Sequence, residues 1–145
     1  MNLETFLLQD GYRRVPLSRN PAGHFQTEGA VNGRPVTVIV DTGAGATIVS
    51  LTLATELGLG MERQETRGGG AGGVTLDVYA TTGGTLTLGD VAPRVRTLMA
   101  MDLSHVNEGL ACKGCAPIDA ILGADVFDAQ SAVIDYGSSS LYLKE

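Results

Sequence analysis

Short apolar and β-branched runs alternate with glycine-containing turns along most of this 145-residue chain. The chain has 20 Gly, about twice the average usage, together with no Trp and only 5% aromatic residues. Glycine is unfavourable in the interior of a helix, so frequent glycine-containing turns favour many short strands over long helices. We therefore expect a nearly all-β domain with an aliphatic core and one or two short helices.

A hairpin in the first third of the chain is the clearest local signal. Phe25–Val31 and Pro35–Val40 have strand-like composition and flank Asn32-Gly33, a pair suited to the left-handed torsions of a tight turn. Helical spacing is expected at Leu51–Leu57 (closed by Gly58) and Asp125–Ala129, and Asn2 is a candidate cap for a short N-terminal helix through Leu8 that stops at Gly11. Further strands are expected at Tyr12–Leu17, Val74–Thr81, Thr85–Leu88, Arg94–Met99, Ala132–Asp135 and Ser140–Leu143.

Charge and hydropathy exclude two classes of partner. The net charge is −6 and the Arg residues are scattered, so no basic stripe is available to bind a nucleic-acid backbone. No apolar run approaches the roughly 18–20 residues that span a bilayer, and the first residues lack the pattern of a signal peptide. We expect a soluble, cytoplasmic protein as written, or a periplasmic or secreted one if an export signal has been removed.

The residues that carry chemistry follow the second strand of the hairpin. Asp41-Thr42-Gly43 comes directly after the apolar run Val36–Val40. A carboxylate on a sharp turn at a strand end is held by the sheet yet exposed to a ligand, and glycine lets another backbone approach closely. An Asp and a Gly also shape ordinary turns, so these three residues alone leave a catalytic and a purely structural interpretation open.

Two further segments supply context. Asp119–Phe127 contains Ile121-Leu122-Gly123, a short apolar strand that ends in glycine and turns into a helix, and Arg67–Val74 is a glycine-rich tip between strand-like segments. With Asp41-Thr42-Gly43, in this order and spacing, they resemble the retropepsin-like aspartic proteases, the single-lobed relatives of pepsin that include retroviral and bacterial enzymes. The resemblance spans roughly residues 24 to 143.

This resemblance implies a fold. It predicts one retropepsin-like domain over residues 1–145, a single-lobed closed β-barrel with a flap hairpin. An N-terminal arm (residues 1–23) and an insertion that contains both Cys (residues 101–117) depart from the minimal retroviral pattern.

The resemblance also implies an aspartic endopeptidase that acts on a peptide or protein substrate with no cofactor. Its mechanism needs two facing carboxylates, and the chain has one Asp-Thr-Gly. Neither Asp125 nor Asp135 has the sequence context of a second copy, so a homodimer that shares Asp41 from each subunit is the economical solution. The alternative is a non-catalytic dimeric module of the same fold that binds peptides or acts as a scaffold.

The family's functional residues carry over position by position. Asp41 is then the shared acid and base, Thr42 links the two loops across the dimer axis, and the Gly43 amide holds the catalytic carboxylate. The positions expected to contact substrate are Ala44 and the flap residues Gly69, Gly70, Ala71 and Gly72.

The glycine run has other interpretations. Gly68-x-Gly70-x-x-Gly73 matches dinucleotide-binding spacing, but the following residues Val74–Tyr79 alternate like a strand, where that motif requires a helix. A phosphate-binding P-loop is excluded, because no Gly-Lys-Ser/Thr is present. A flap over an extended peptide and a plain flexible loop both remain open.

Cys112-Lys113-Gly114-Cys115 invites a redox or zinc interpretation. The flanking sequence lacks the strand-then-helix pattern of a thioredoxin-like pair, and His24 and His105 are the only further His or Cys ligands for zinc. We expect no metal and either a local disulfide or two free thiols. Zinc bound with His105 or with a second subunit's cysteines is the alternative, and otherwise both histidines are expected to be ordinary polar residues.

Overall fold

The computed structural model describes residues 1–65, 67–69 and 75–145. The helices are α1 (Leu3–Gln9), α2 (Leu51–Glu56), α3 (Ser104–Ala111) and α4 (Ala124–Ala129). The strands are β1 (Tyr12–Pro16), β2 (Ser18–Arg19), β3 (Phe25–Val31), β4 (Arg34–Val40), β5 (Ile48–Ser50), β6 (Gly60–Arg63), β7 (Gly68–Gly69), β8 (Thr75–Leu76), β9 (Val78–Thr82), β10 (Leu86–Thr87), β11 (Met99–Met101), β12 (Ala120–Leu122), β13 (Val133–Asp135) and β14 (Ser140–Lys144).

The predominantly β architecture is confirmed, and each local turn signal has its expected geometry. Asn32 and Gly33 take φ angles of 51° and 82°, which closes the β3–β4 hairpin as a tight turn. The Asn2 side chain accepts a hydrogen bond from the Thr5 backbone N–H at 2.8 Å and so caps α1. Gly58 follows α2 with a φ of 66°.

The main sheet has the strand order β10-β3-β4-β12-β5-β11-β9-β6, with β2 paired beside β3. In this sheet β12 pairs in parallel with β4 and antiparallel with β5, so it lies between two strands that are neighbours in sequence. Within the described residues the terminal strands β10 and β6 are not paired with each other. The predicted closure of the barrel is therefore not confirmed and stays a prediction.

The chain termini form a second sheet with the order β1-β14-β13. Residues 1–23 contribute β1 to this sheet, where Val15 is buried in the core. The pair β7–β8 forms a separate two-stranded ribbon where the flap hairpin was predicted. Residues 70–74, which include the predicted flap-tip residues Gly70, Ala71 and Gly72, lie outside the described residues.

The expectation of one or two helices is wrong, since four are present in the described part of the chain. The unforeseen one is α3, which lies inside the predicted insertion 101–117. It starts without a side-chain cap, and Leu110 is its one buried residue, so its local signals are weak. Contacts outside the helix stabilise it: the Asn107 side chain accepts from the Ile118 N–H at 2.8 Å and donates to the Ile118 carbonyl at 3.1 Å.

The strand predicted at Arg94–Met99 is also displaced, because the observed strand is β11, Met99–Met101. A turn in which the Val95 N–H donates to the Pro93 carbonyl occupies the start of the predicted range. The Leu98 carbonyl accepts from both the backbone and the hydroxyl of Thr81, and regular pairing starts at the next residue. The predicted strand Val74–Thr81 is two strands, β8 and β9, and β6 was not predicted.

Two apolar clusters stabilise the domain. The larger one is aliphatic and includes the fully buried Val38, Leu122 and Leu141. The smaller one packs α3 against the sheet and consists of Ile39, Met101, Leu103, Leu110, Cys115, Ile118 and Ile121. In the described part of the chain no helix is long and apolar enough to cross a membrane.

Candidate active site

Asp41 lies at the point where β4 leaves the sheet. Its backbone N–H donates to the Leu122 carbonyl of β12 at 3.0 Å, which extends the β4–β12 pairing by one residue. Residues 41–47 form a loop that passes the end of β12 before the chain re-enters the sheet as β5. We call it the Asp41 loop. The backbone of Asp41 is thus anchored by two strands while its side chain is exposed.

A tight turn orients the carboxylate of Asp41. The Gly43 backbone N–H donates to Asp41 Oδ1 at 2.9 Å, and the Ala44 N–H donates to the Asp41 carbonyl at 3.2 Å. Asp41, Thr42 and Gly43 are all exposed, whereas Ala44 is half-buried. One carboxylate oxygen is therefore held by the backbone, and the other has no partner among the described residues.

A buried polar link ties the Asp41 loop to α4. The Thr47 hydroxyl donates to Asp125 Oδ1 at 2.8 Å and accepts from the Gly123 N–H at 3.1 Å. Thr47 is fully buried, so this hydroxyl has no access to water as a substitute partner. No role was expected for Thr47, and Asp125 was expected to matter only as a second acid, so the sequence did not reveal this pair.

Gly123 has to be glycine because the Asp41 loop passes directly over it. A Cβ atom at this position would stand 2.5 Å from the Ala46 carbonyl oxygen and 2.7 Å from the Ala44 carbonyl oxygen. The Ala124 N–H donates to the same Ala44 carbonyl at 2.7 Å. The apolar-apolar-Gly segment therefore serves as the support on which the Asp41 loop rests.

Two pockets flank Asp41. The first, of about 420 Å³, lies between the Asp41 side of the sheet and α3, and we call it the α3 pocket. The second, of about 470 Å³, is bordered by the Asp41 loop, and we call it the loop pocket. Both include Asp41, His105, Val106 and Ile121, so the two volumes meet at the carboxylate.

His105 was expected to be an ordinary polar residue, and the structure puts it on α3 at the junction of the two pockets. The start of α3 is shaped by Asp102, whose carboxylate accepts from the Ser104 hydroxyl at 2.6 Å and from the Ser104 N–H at 2.9 Å. These two hydrogen bonds, with a smaller contribution from the nearby His105, hold the pKa of Asp102 below its ordinary value.

The other predicted candidates occupy distinct places. Gly68 at the base of the β7–β8 ribbon lines the loop pocket, and the predicted contact residue Gly69 follows it in β7. Asp135 accepts hydrogen bonds from the Gly137 N–H and the Ser138 hydroxyl in the turn between β13 and β14. Of the residues that the structure describes, Asp41 is the only carboxylate that lines either pocket.

The cysteines are both free, Cys112 exposed and Cys115 buried. The alternative of a disulfide in the CxxC segment is therefore not the state observed. Across residues 1–65, 67–69 and 75–145, no group of three or more His, Cys, Asp or Glu is placed to hold a metal ion.

A family model described as "Aspartyl protease" matches residues 27–126, which is more than half of the chain. This chain belongs to the aspartyl protease family. The matched range contains the Asp41 loop, α3 and the four residues that line both pockets, and it ends one residue after Asp125. No curated protein sequence matches the chain.

Solved structures show that this family member has the retropepsin-like fold. A retropepsin-like aspartic protease from Rickettsia conorii aligns with a TM-score of 0.56 and 17% identity over 91% of each chain. The retroviral protease-like domain of Ddi1 from Leishmania major gives 0.54 and 16%, covering 81% of this chain and 86% of that one. The EIAV protease, solved with the inhibitor HBY-793, gives 0.50 and 23%, covering 72% and 85%.

Proposed function

We propose that this aspartyl protease family member is a peptide-bond hydrolase whose catalytic pair consists of Asp41 from each of two subunits. The observation that carries the proposal is the exposed Asp41 carboxylate, held by the Gly43 N–H at 2.9 Å and flanked by two pockets. Among the described residues no second carboxylate lines those pockets, so a single subunit offers half of the acid–base pair that the chemistry needs.

Neither remaining candidate within the chain is free to serve as the second acid. Asp125 accepts the Thr47 hydroxyl and belongs to the support of the Asp41 loop. Asp135 lies in the β13–β14 turn, where its two oxygens accept from Gly137 and Ser138. The homodimer follows from this count, since a two-fold axis beside Asp41 brings a second copy of the same carboxylate into contact.

The proposed mechanism uses one proton shared by the pair, because two carboxylates in contact cannot both ionise without a large cost. The ionised Asp41 takes a proton from water, the water oxygen bonds to the substrate carbonyl carbon, and the protonated Asp41 donates a hydrogen bond to the carbonyl oxygen. The C–N bond then breaks, and the nitrogen leaves with a proton from the pair. The products are a carboxylic acid and an amine.

The neighbouring residues have supporting roles in this proposal. The Thr42 hydroxyl is exposed and has no partner within the described residues, which leaves it available to the second subunit's loop. The Gly43 N–H keeps the carboxylate oriented. Ala44, the ribbon residue Gly69 and the residues Gly70, Ala71 and Gly72 that follow it in sequence contact the substrate, whose main chain pairs with the ribbon as an added strand.

The experiment is a cleavage assay with a diverse peptide pool over about pH 3 to 8, read by mass spectrometry, for the wild type and Asp41→Asn. Loss of a group that transfers protons should lower cleavage by about 100-fold or more. Asp135→Asn is the matched control, since it makes the same change in a turn of the same type, where the Gly137 N–H lies 3.0 Å from Oδ1. It should keep wild-type cleavage.

Dilution tests the shared site. Specific activity should fall as the protein concentration drops below the dimer dissociation constant, because each subunit supplies one carboxylate. Constant activity at concentrations where sedimentation shows only monomer would contradict the proposed pair. Peptide binding without any cleavage would favour a non-catalytic module of the same fold.

A further inference from the structure

The α3 pocket has an apolar floor and a basic rim. The floor is formed by buried side chains: Ile39, Leu110, Ile118 and Ile121. Three nitrogen-bearing side chains stand around it, His24 from the segment before β3, His105 from the start of α3 and Lys113 from the turn after α3. All three can donate hydrogen bonds, and Lys113 carries a full positive charge.

This rim contrasts with the protein as a whole, whose net charge is −6. Among the described residues Asp41 is the one carboxylate that lines the α3 pocket, and Asp102 and Glu108 of the α3 segment line neither pocket. Of the two lysines in the chain, Lys144 pairs with Asp10 at 3.3 Å, whereas Lys113 has no ion pair within the described part of the chain. The ammonium group of Lys113 is therefore available to a ligand.

The loop pocket on the other side of Asp41 differs in character. Among the described residues that line it there is no lysine or arginine, and its walls include the small residues of the Asp41 loop together with Met99 and Met101. Small and apolar walls suit an uncharged side chain. The two pockets thus offer different chemistry on the two sides of the same carboxylate.

We propose that the α3 pocket is a specificity subsite that selects an acidic side chain of the substrate, with Lys113 as the selecting residue. This inference rests on the proposed function, because the substrate chain must cross Asp41 to reach the pocket. Glutamate fits better than aspartate, since its two methylene groups cover the apolar floor while its carboxylate reaches the rim. His24 and His105 add hydrogen-bond donors to the same carboxylate.

A peptide bound as a strand directs alternate side chains to the same side, about 6.5 Å apart, so the selected residue lies within about three positions of the cleaved bond. The first measurement is the frequency of Glu and Asp at these positions among the bonds that the wild type cuts in the peptide pool. We expect Glu to be enriched at one of them.

The second measurement is kcat/KM on three peptides that differ only at that position, with Glu, Gln or Met. Lys113→Met should lower the Glu-to-Gln ratio by up to about fivefold, the upper end of the range of an exposed ion pair. Lys113→Glu should invert the preference, and added salt should weaken it in the wild type. Lys144→Met is the matched control. It removes the other of the two lysines, which does not line the pocket, and should leave the Glu-to-Gln ratio unchanged.

A binding assay separates failure of this inference from failure of the proposed function. Fluorescent Glu and Gln peptides are titrated onto the Asp41→Asn variant with and without Lys113→Met, which reports recognition when no bond is cut. Wild-type cleavage that shows no acidic preference, or a preference that survives Lys113→Glu, overturns the subsite alone. If the wild type cuts no peptide but the Glu peptide binds in a way that depends on Lys113, the catalytic proposal is overturned and the subsite is retained. If the Glu and Gln peptides bind equally well, the subsite is overturned whatever the cleavage assay shows.

Discussion

Thr47→Val breaks the buried link between the Asp41 loop and α4 without emptying space, because valine has nearly the shape of threonine. Two contacts are lost: the Thr47 hydroxyl donates to Asp125 at 2.8 Å and accepts from the Gly123 N–H at 3.1 Å. Gly123 is buried, so water cannot replace the hydroxyl as the partner of its N–H, whereas the half-buried Asp125 keeps access to water. The substitution therefore isolates the free energy of one shared hydroxyl.

The magnitude follows from the type of each contact. A hydrogen bond to a charged carboxylate contributes about 1.5–3 kcal/mol, and a buried N–H left without a partner costs about 1–3 kcal/mol. Because the two contacts share one oxygen they are not fully additive, and we expect the free energy of unfolding to fall by about 3 kcal/mol. Peptide cleavage should fall as well, because the loop that carries Asp41 loses one of its anchors.

The assay is urea unfolding followed by circular dichroism, with all variants at the same protein concentration. Thr81→Val is the first control: Thr81 is also buried, but the Leu98 carbonyl keeps the Thr81 backbone N–H at 3.0 Å when the hydroxyl at 2.6 Å is removed. A loss of about 1 kcal/mol is expected there. Thr55→Val on the exposed face of α2 should change stability by less than about 0.5 kcal/mol.

The expected order of destabilisation is Thr47, then Thr81, then Thr55. If Thr47→Val is no more destabilising than Thr81→Val, the reasoning from the two hydrogen bonds of the Thr47 hydroxyl is refuted. If stability falls as expected while cleavage by the folded protein is unchanged, the link supports the fold but does not position Asp41.

Three further predictions concern the surroundings of the site. Gly123→Ala should lower both stability and cleavage, by about 1–3 kcal/mol in the free energy of unfolding, since its Cβ would stand 2.5 Å from a backbone carbonyl oxygen of the Asp41 loop. Gly109→Ala in α3, where a Cβ meets no atom within 4 Å, should instead stabilise by about 0.5–1 kcal/mol; the reverse order in thermal melts would contradict this packing. Cys115→Ser should destabilise by about 1–3 kcal/mol because it buries a hydroxyl among apolar side chains, whereas the exposed Cys112→Ser should stay within about 0.5 kcal/mol. The pKa of Asp102 is lowered in the folded state, so its negative charge stabilises the protein at pH values above its ordinary pKa of 3.8. This contribution is lost as the pH falls through the lower pKa of the folded state. The difference in Tm between wild type and Asp102→Asn should accordingly be largest near about pH 6 and shrink on acidification, and a difference that grows at low pH would exclude this origin.

Features encoded within a few residues could be predicted from the sequence. The β3–β4 hairpin follows from Asn32-Gly33, because few other pairs adopt left-handed torsions at both turn positions without strain. The end of α2 follows from Gly58 for the same reason. Asp41 at a strand end follows from the apolar run before it, and the family follows from the ordered set of motifs.

Features that depend on distant partners could not be predicted in this way. The α3 helix has no side-chain cap and a single buried residue, so its stability comes from Asn107 and the apolar cluster beneath it. The start of β11 depends on which backbone groups Thr81 and Leu98 leave free. Neither signal is visible in the periodicity of the segment itself.

Thus the sequence by itself determined that one carboxylate stands on a glycine turn at a strand end, because those torsions and that apolar run are local properties. Only the tertiary structure decided what surrounds that carboxylate. Thr47 and Asp125 are 78 residues apart in sequence and meet because β12 inserts between β4 and β5. The same insertion packs α3 against the sheet, which brings His105 and Lys113 to the pocket beside Asp41. Contacts made across a sheet leave no repeating pattern in the chain, and they are fixed only when the strands find their order.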